Sequence, residues 1–254
     1  MTSQINTFST LLLSLTCHCV FSQTIINTEN LMRELDEKMT YSMGFKGDFN
    51  FGNIDLIQFS TAHQFAQSVD RSLFRILLNY DFIEESNQII ASDFTGQFRY
   101  NYRIEKNSIF GFFQAQNLKS LRMNHRLISG GGYRHNLWSK GSDYFDLSAG
   151  LFFEDELYDK DLPTQTQVYN WRYSFSGFSK YSFTEKTFIN LSVYYQIKTA
   201  NSEDYRLFVQ PRLYYTLPKF DIFLDLTYRY HSTPYVPLYQ TDTSLELGVE
   251  FQLN

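Results

Sequence analysis

Eight arginines occupy the polar side of local apolar–polar alternations in this 254-residue chain: Arg99, Arg103, Arg126, Arg134, Arg172, Arg206, Arg212 and Arg229. Carboxylates fall on the same side, namely Asp93, Asp146, Glu154, Asp221, Asp225, Asp242, Glu246 and Glu250. Opposite charges confined in a low-dielectric space attract strongly and lose hydration, so pairing is the favoured outcome. Two kinds of chemistry follow. Either ion pairs fill the space and restrict passage, or a ladder of arginines selects anionic solutes.

Nucleophilic chemistry is poorly provided for. Adjacent strand residues point to opposite faces, so a Ser–His pair on one strand must be spaced His-x-Ser. Beyond residue 22 the histidines are His63, His125, His135 and His231, and none has Ser two positions later. His231 is followed directly by Ser232, which sets the two on opposite faces. A lipid hydrolase is therefore disfavoured and no catalytic residue is assigned. The scattered histidines also lack a ligand-type partner at strand or helix spacing, so neither a metal site nor a cofactor is expected.

The alternation predicts the elements that must hold these charges. Phe94, Phe98, Tyr100 and Tyr102 share one parity, while Thr95, Gln97, Arg99 and Asn101 share the other. Residues 220–230 and 243–253 repeat the pattern. Period two means β-strand with chemically different faces. Twelve strands are expected near 40–51, 54–66, 72–83, 90–103, 108–117, 122–137, 143–156, 167–182, 187–198, 204–216, 220–231 and 240–253. Many exceed the ~5–6 residues of a soluble strand and match the ~9–11 of a tilted strand crossing a bilayer. Turns of one parity are short, such as Glu105-Lys106-Asn107 and Pro218-Lys219. Those of the other parity are longer, at 84–89, 157–166, 199–203 and 232–239, with Gly52-Asn53 as an exception. That asymmetry is the one outer-membrane barrels show, and it places the long loops outside and the termini in the periplasm. Two stretches fit less well. The phase of 54–66 is uncertain, and Pro211 calls for a bulge in the strand it interrupts.

Composition agrees with a membrane barrel and also permits a soluble all-β protein. The chain is 43% hydrophobic and 18% aromatic, with a formal charge of −5 that gives no reason to expect nucleic acid. A magnitude fixes the phase if the chain sits in a membrane. An arginine facing lipid near the midplane costs about 2–4 kcal/mol, so eight cost on the order of 15–30, more than the ~5–15 of a typical total stability. The arginines must then face the lumen, and the Phe, Tyr, Leu, Ile and Val of the other parity must face lipid. A soluble secreted barrel, the rival, expects Lys-rich edges and frequent Gly/Pro turns, yet only five prolines are present.

Residues 1–22 read as a signal peptide, with an apolar run from Phe8 to Leu15, although no Lys or Arg precedes it. Cys17 and Cys19 fall inside it, so the remainder has no cysteine for disulfides, thiolate metal sites or a nucleophile. Residues 23–39 read as a periplasmic lead-in with a helical flavour, Thr28 capping Glu29 to Leu35. Residues 40–254 form the barrel domain. On the last strand Glu246-x-Gly248-x-x-Phe251-x-Leu253 resembles the terminal signature by which outer-membrane barrels are recognised for assembly, with Asn254 as one residue of departure.

Several stretches carry a family resemblance: Asp93 to Tyr102, Gly130-Gly131-Gly132-Tyr133-Arg134, Ala149-Gly150 with Glu154 shortly after, and Tyr230-His231-Ser232-Thr233-Pro234 followed by Asp242-Thr243-Ser244-Leu245. They resemble the salt-induced outer-membrane proteins of unknown function, the YdiY-like type. The resemblance implies an outer-membrane barrel in a Gram-negative bacterium and no catalytic residues. The expected protein is a monomeric twelve-stranded antiparallel barrel, not an enzyme. Its partners are outer-membrane lipid and the barrel-assembly machinery, and its charged, occluded lumen serves envelope maintenance or limited small-solute passage. An anion-selective porin is the alternative.

Overall fold

The computed structural model describes residues 39–50, 56–161, 167–235 and 239–253. The signal peptide, nearly all of the lead-in and the Gly52-Asn53 turn lie outside them. Twelve antiparallel strands close into one barrel in which each pairs with its chain neighbours and the first pairs with the last. They are β1 Met39–Asn50, β2 Leu56–Val69, β3 Ser72–Glu85, β4 Gln88–Ile104, β5 Asn107–Leu118, β6 Met123–Lys140, β7 Asp143–Tyr158, β8 Gln167–Ser182, β9 Thr187–Lys198, β10 Asn201–Thr216, β11 Asp221–His231 and β12 Thr241–Leu253.

Burial follows the alternation. Arg99 is 6% exposed while its neighbour Phe98 is 45% exposed, and the same split runs around the wall. Phe94, Tyr169, Trp171, Tyr173, Phe175, Leu224 and Leu245 look outward. The uncertain phase of β2 is resolved in the same way, since Gln64 and Ala66 are buried. Residues one position off that parity, such as His63, point the other way, and His63 Nδ1 bonds the Tyr41 hydroxyl at 2.7 Å on the outer wall.

Four expectations change. The connections at 84–89 and 199–203 shrink to two-residue turns, because the flanking strands extend further than their apolar pattern does. Ser86 and Asn87 both take left-handed backbone (φ 49° and 64°), the geometry that matches the twist of a two-residue hairpin. Length asymmetry therefore rests on the connections after β7 and β11. No bulge forms at Pro211. It pairs with Leu191 of β9, and the β10–β11 register is the same before and after a gap at Gln210 and Pro211. The missing N–H is absorbed by local loss of ladder rather than by an extra residue. Finally, not all aromatics face outward. Phe152, Phe178, Phe188, Tyr194, Phe208, Tyr214 and Phe223 are buried inside.

Glycines make room for some of these rings. Gly111, Gly131, Gly132 and Gly150 meet across β5, β6 and β7, with Gly111 opposite Gly131 and Gly132 opposite Gly150. A Cβ on Gly132 would lie 2.3 Å from the Ala149 carbonyl oxygen and 2.8 Å from the Phe110 ring. Only a residue without a side chain allows the strands and the inward ring to approach this closely. Gly248 plays the same part beneath Phe223, whose ring a Cβ would meet at 2.3 Å.

Candidate functional site

The largest polar cluster lies in the loop-side half of the interior. Glu154, 0% exposed on β7, accepts from Arg126 Nη2 of β6 at 2.7 Å, Arg172 Nε of β8 at 2.6 Å and Arg206 Nη1 of β10 at 2.9 Å. Glu156 lies one inward position further along β7. It accepts from Arg206 at 3.3 Å and from the Tyr158 hydroxyl at 2.9 Å. Arg172 forks onto Asp204 at 2.9 and 3.0 Å, and His231 Nε2 lies 3.1 Å from the same carboxylate. Three guanidinium groups thus meet three carboxylates drawn from strands of the same arc. Each charge lost hydration on burial, and the geometry compensates it only while the set stays complete.

Other pairs are more local. Arg134 donates to Asp146 at 2.7 Å and its guanidinium lies 4.6 Å over Phe178. Arg212 donates to Asp225 at 2.9 Å and stacks 4.5 Å over Phe223. Asp225 also accepts from Gln210 at 2.8 Å and lies 3.8 Å from Lys46. Arg229 of β11 donates to Asp242 of β12 at 3.2 Å. Arg99 lies 4.2 Å over Phe110, the ring admitted by Gly132. Arginine over an aromatic face recurs along the interior, and such contacts are worth about 0.5–2 kcal/mol, more where water is excluded.

Four further positions concern expected members. Arg103 bonds Ser68 and the Asp70 carbonyl at the turn-side rim. Asp93 accepts from the backbone N–H of Ser120 at 3.0 Å and so pins the 3₁₀ turn Lys119–Leu121. Asp221 is buried opposite Glu250 in the β11–β12 register. Arg99 faces Arg75 across β3 and β4. Sequence reading missed Arg75, Glu156, Asp204, Lys46 and His231. Arg75 was hidden because Leu73 and Leu77 share its inward parity, which made that face look apolar. Glu156 and Lys46 lie in step with Glu154 and Ser42, so alternation could have found them.

The terminal signature lies on β12. Glu246 turns inward and bonds Lys46, Gly248 accommodates Phe223, and Phe251 faces outward against Phe220, ring centroids 5.8 Å apart. Leu253 pairs with Tyr41 in the closing ladder. His231 and Ser232 have separate partners, since Ser232 Oγ bonds the Glu203 carbonyl and the Tyr205 N–H.

Two cavities between the clusters are lined by described residues. One of about 70 Å³ is lined from β4 to β9 and includes Arg99, Phe110, Gln114, Arg126, Phe152 and Tyr194, with no carboxylate in its wall. The other, about 150 Å³, is lined from β1–β3 and β10–β12. It carries Lys46, Arg212 and Arg229 against Asp81, Glu246 and Glu250.

A closed twelve-stranded antiparallel barrel with an ion-paired interior and an apolar outer wall is the architecture of a porin-type membrane barrel. The chain belongs to the family described as "Protein of unknown function, DUF481", which matches residues 43–252. Among solved structures it is similar to the NanC porin, with 11% identity and a TM-score of 0.55, over 84% of this chain and 100% of that one. A KdgM porin in complex with disordered oligogalacturonate matches at 12% identity and TM-score 0.47, over 84% and 99%. No curated protein matches.

Proposed function

We propose that this chain is a monomeric, non-enzymatic barrel of the bacterial outer membrane. Its interior is braced by ion pairs, and its role is envelope maintenance with limited passage of small solutes. The observation that carries this reading is the Glu154 hub. One buried carboxylate gathers arginines from β6, β8 and β10, so side chains span the interior instead of lining an open bore. The cavities left over are small. One water needs about 10–15 Å³ of such space, so these two hold on the order of five to fifteen waters each, or one small solute. The stretches Asp93–Tyr102, Gly130–Arg134 and Tyr230–Pro234 support the YdiY-like, salt-induced type within the family. The β12 signature supports assembly by the barrel-assembly machinery.

Liposome swelling with a graded series of sugars tests it. Proteoliposomes should admit glycerol-sized solutes slowly and exclude disaccharides, and rapid disaccharide entry would refute the braced interior. The anion-selective porin remains the second reading, favoured by the smaller cavity, whose lining carries Arg99 and Arg126 and no carboxylate, the Glu154 that pairs with Arg126 lying outside that lining.

A further inference from the structure

One row of the barrel wall sets two like charges side by side. Across the ladders, Thr40 of β1 pairs with Ala66 of β2, Ala66 with Arg75 of β3, and Arg75 with Arg99 of β4. Ala66, Arg75 and Arg99 are buried, so this row faces the interior. Like charges directly opposite on neighbouring strands destabilise a sheet, and a carboxylate placed between them relieves the repulsion. Arg75 Nη2 donates to Asn101 at 2.8 Å and Arg99 lies over Phe110, contacts that orient the guanidinium groups through neutral side chains. Among the described residues, the nearest carboxylates on the inward faces of β3 and β4 are Asp81 and Asp93, opposite each other and six positions nearer the loops. That is ~20 Å along the strands, and β2 and β5 on either side contain no Asp or Glu. Leu73 and Leu77, both buried, flank Arg75 on the same face, and neither belongs to the three described apolar clusters.

The chain itself enters beside that arc. Met39 pairs with Gln67, two positions from the turn-side end of β2, so the residues before it approach from the turn side. Neighbouring strands lie ~4.8 Å apart, which puts Arg75 ~10 Å and Arg99 ~14 Å from Thr40 along the row. Glu34 precedes Thr40 by six positions, a span of ~9 Å as helix and ~20 Å extended, so with an arginine's own length added it reaches either guanidinium. At helix spacing Leu31, Glu34 and Leu35 share one face, an apolar–acidic–apolar set to match Leu73, Arg75 and Leu77. Residues 29–38 carry Glu29, Glu34, Asp36 and Glu37 against Arg33 and Lys38, four negative charges less two positive, for a net −2.

We propose that this arc is the docking face for the chain's own lead-in. Residues 29–38 turn into the turn-side mouth, Glu34 seats between Arg75 and Arg99, and Leu31 and Leu35 cover Leu73 and Leu77. Held there, the segment closes the interior from the end opposite the Glu154 cluster. Tethering makes the docking intramolecular, so it needs fewer contacts than a free peptide would. A seated lead-in goes beyond the braced interior proposed above and does not involve its hub, so either can fail alone.

The test uses the full chain in detergent micelles, with Cys17→Ser, Cys19→Ser and Leu35→Cys, and with folding judged by gel mobility before and after boiling. The reaction of the introduced thiol with a charged maleimide is compared with that of the same chain unfolded in urea. It should be about tenfold slower in the folded barrel, the protection of a seat open a tenth of the time. Glu34→Arg, which leaves the wall untouched, should remove the protection. Glu34→Arg with Arg75→Glu and Arg99→Glu, the mirror set of charges, should regain it. Should that set fail to fold, Leu35→Cys with Leu73→Cys answers the same question with native charges, since mild oxidation should yield one linked tryptic peptide within a single chain. Full reactivity in the folded barrel, protection that Glu34→Arg leaves unchanged, a folded mirror set without protection, or no linked peptide overturns the docking face. A disulfide joining two molecules through positions 35 and 73 also overturns it, by placing a neighbour's lead-in there.

Discussion

Tyr235 stacks on Tyr158 with ring centroids 4.6 Å apart and planes inclined by 24°. Tyr158 ends β7, and Tyr235 lies in the connection from β11 to β12, so the contact bridges strands four to five places apart around the loop-side mouth. Leu118, Leu121 and Met123 complete a small apolar cluster around it, directly above the Glu156 carboxylate that Tyr158 hydrogen-bonds. Tyr235→Ala should loosen this cover, with the loss of about 1 kcal/mol for the ring pair. The expected outcome is faster solute entry in the swelling assay, while Tyr235→Phe, which keeps the stack, leaves the rate unchanged.

Glu154→Gln removes the hub and leaves Arg126, Arg172 and Arg206 facing only Glu156 and Asp204. Breaking one side of a buried charge set costs about 3–5 kcal/mol, because the remaining charges stay desolvated without compensation. Urea titration of the folded form in lipid should show a midpoint shifted down accordingly. An unchanged midpoint would mean the cluster is hydrated and contributes little.

Gly248 separates packing from recognition. A Cβ there would meet the Phe223 ring at 2.3 Å, so Gly248→Ala should lower the yield of folded barrel, and Phe223→Leu in the same chain should restore it. Phe251→Ala with Leu253→Ala alters the terminal signature while sparing the interior. It should abolish insertion, and no interior substitution should rescue it. Rescue of Gly248→Ala by Phe223→Leu, without rescue of the Phe251 and Leu253 pair, would assign the two effects to different causes.

Much of this fold was legible because each strand has two chemically distinct faces. Residues 94–102 alternate so cleanly that parity alone places Arg99 inward and Phe98 outward. Legibility failed where one face carries both kinds of side chain. Ile109-Phe110-Gly111-Phe112-Phe113 has aromatics on both parities, and nothing local says that Phe110 turns inward. The reason lies on neighbouring strands, in the space left by Gly132 and Gly150. Pairings such as Glu154 with Arg206, 52 residues apart, depend on barrel closure and were not readable from spacing. The two short turns after β3 and β9 were missed because those strands run past their apolar pattern into polar ends.

Orientation follows from the connections that remain long. Single cysteines at Asp161 and Thr233, both exposed on the loop side, should react with an impermeant thiol reagent on intact cells. A cysteine at Lys186, in the turn between β8 and β9, should react only after the envelope is opened. The reverse pattern would invert the barrel.

Single-channel recording in planar bilayers tests the braced interior most directly. The native chain should show small or absent conductance. When Arg99, Arg172 and Arg229 are all changed to Ser, conductance should rise and favour cations, since the carboxylates that Arg172 and Arg229 faced remain. A large, steady, anion-selective native conductance that the same triple change abolishes would contradict the account and make the arginines a selectivity ladder in an open pore.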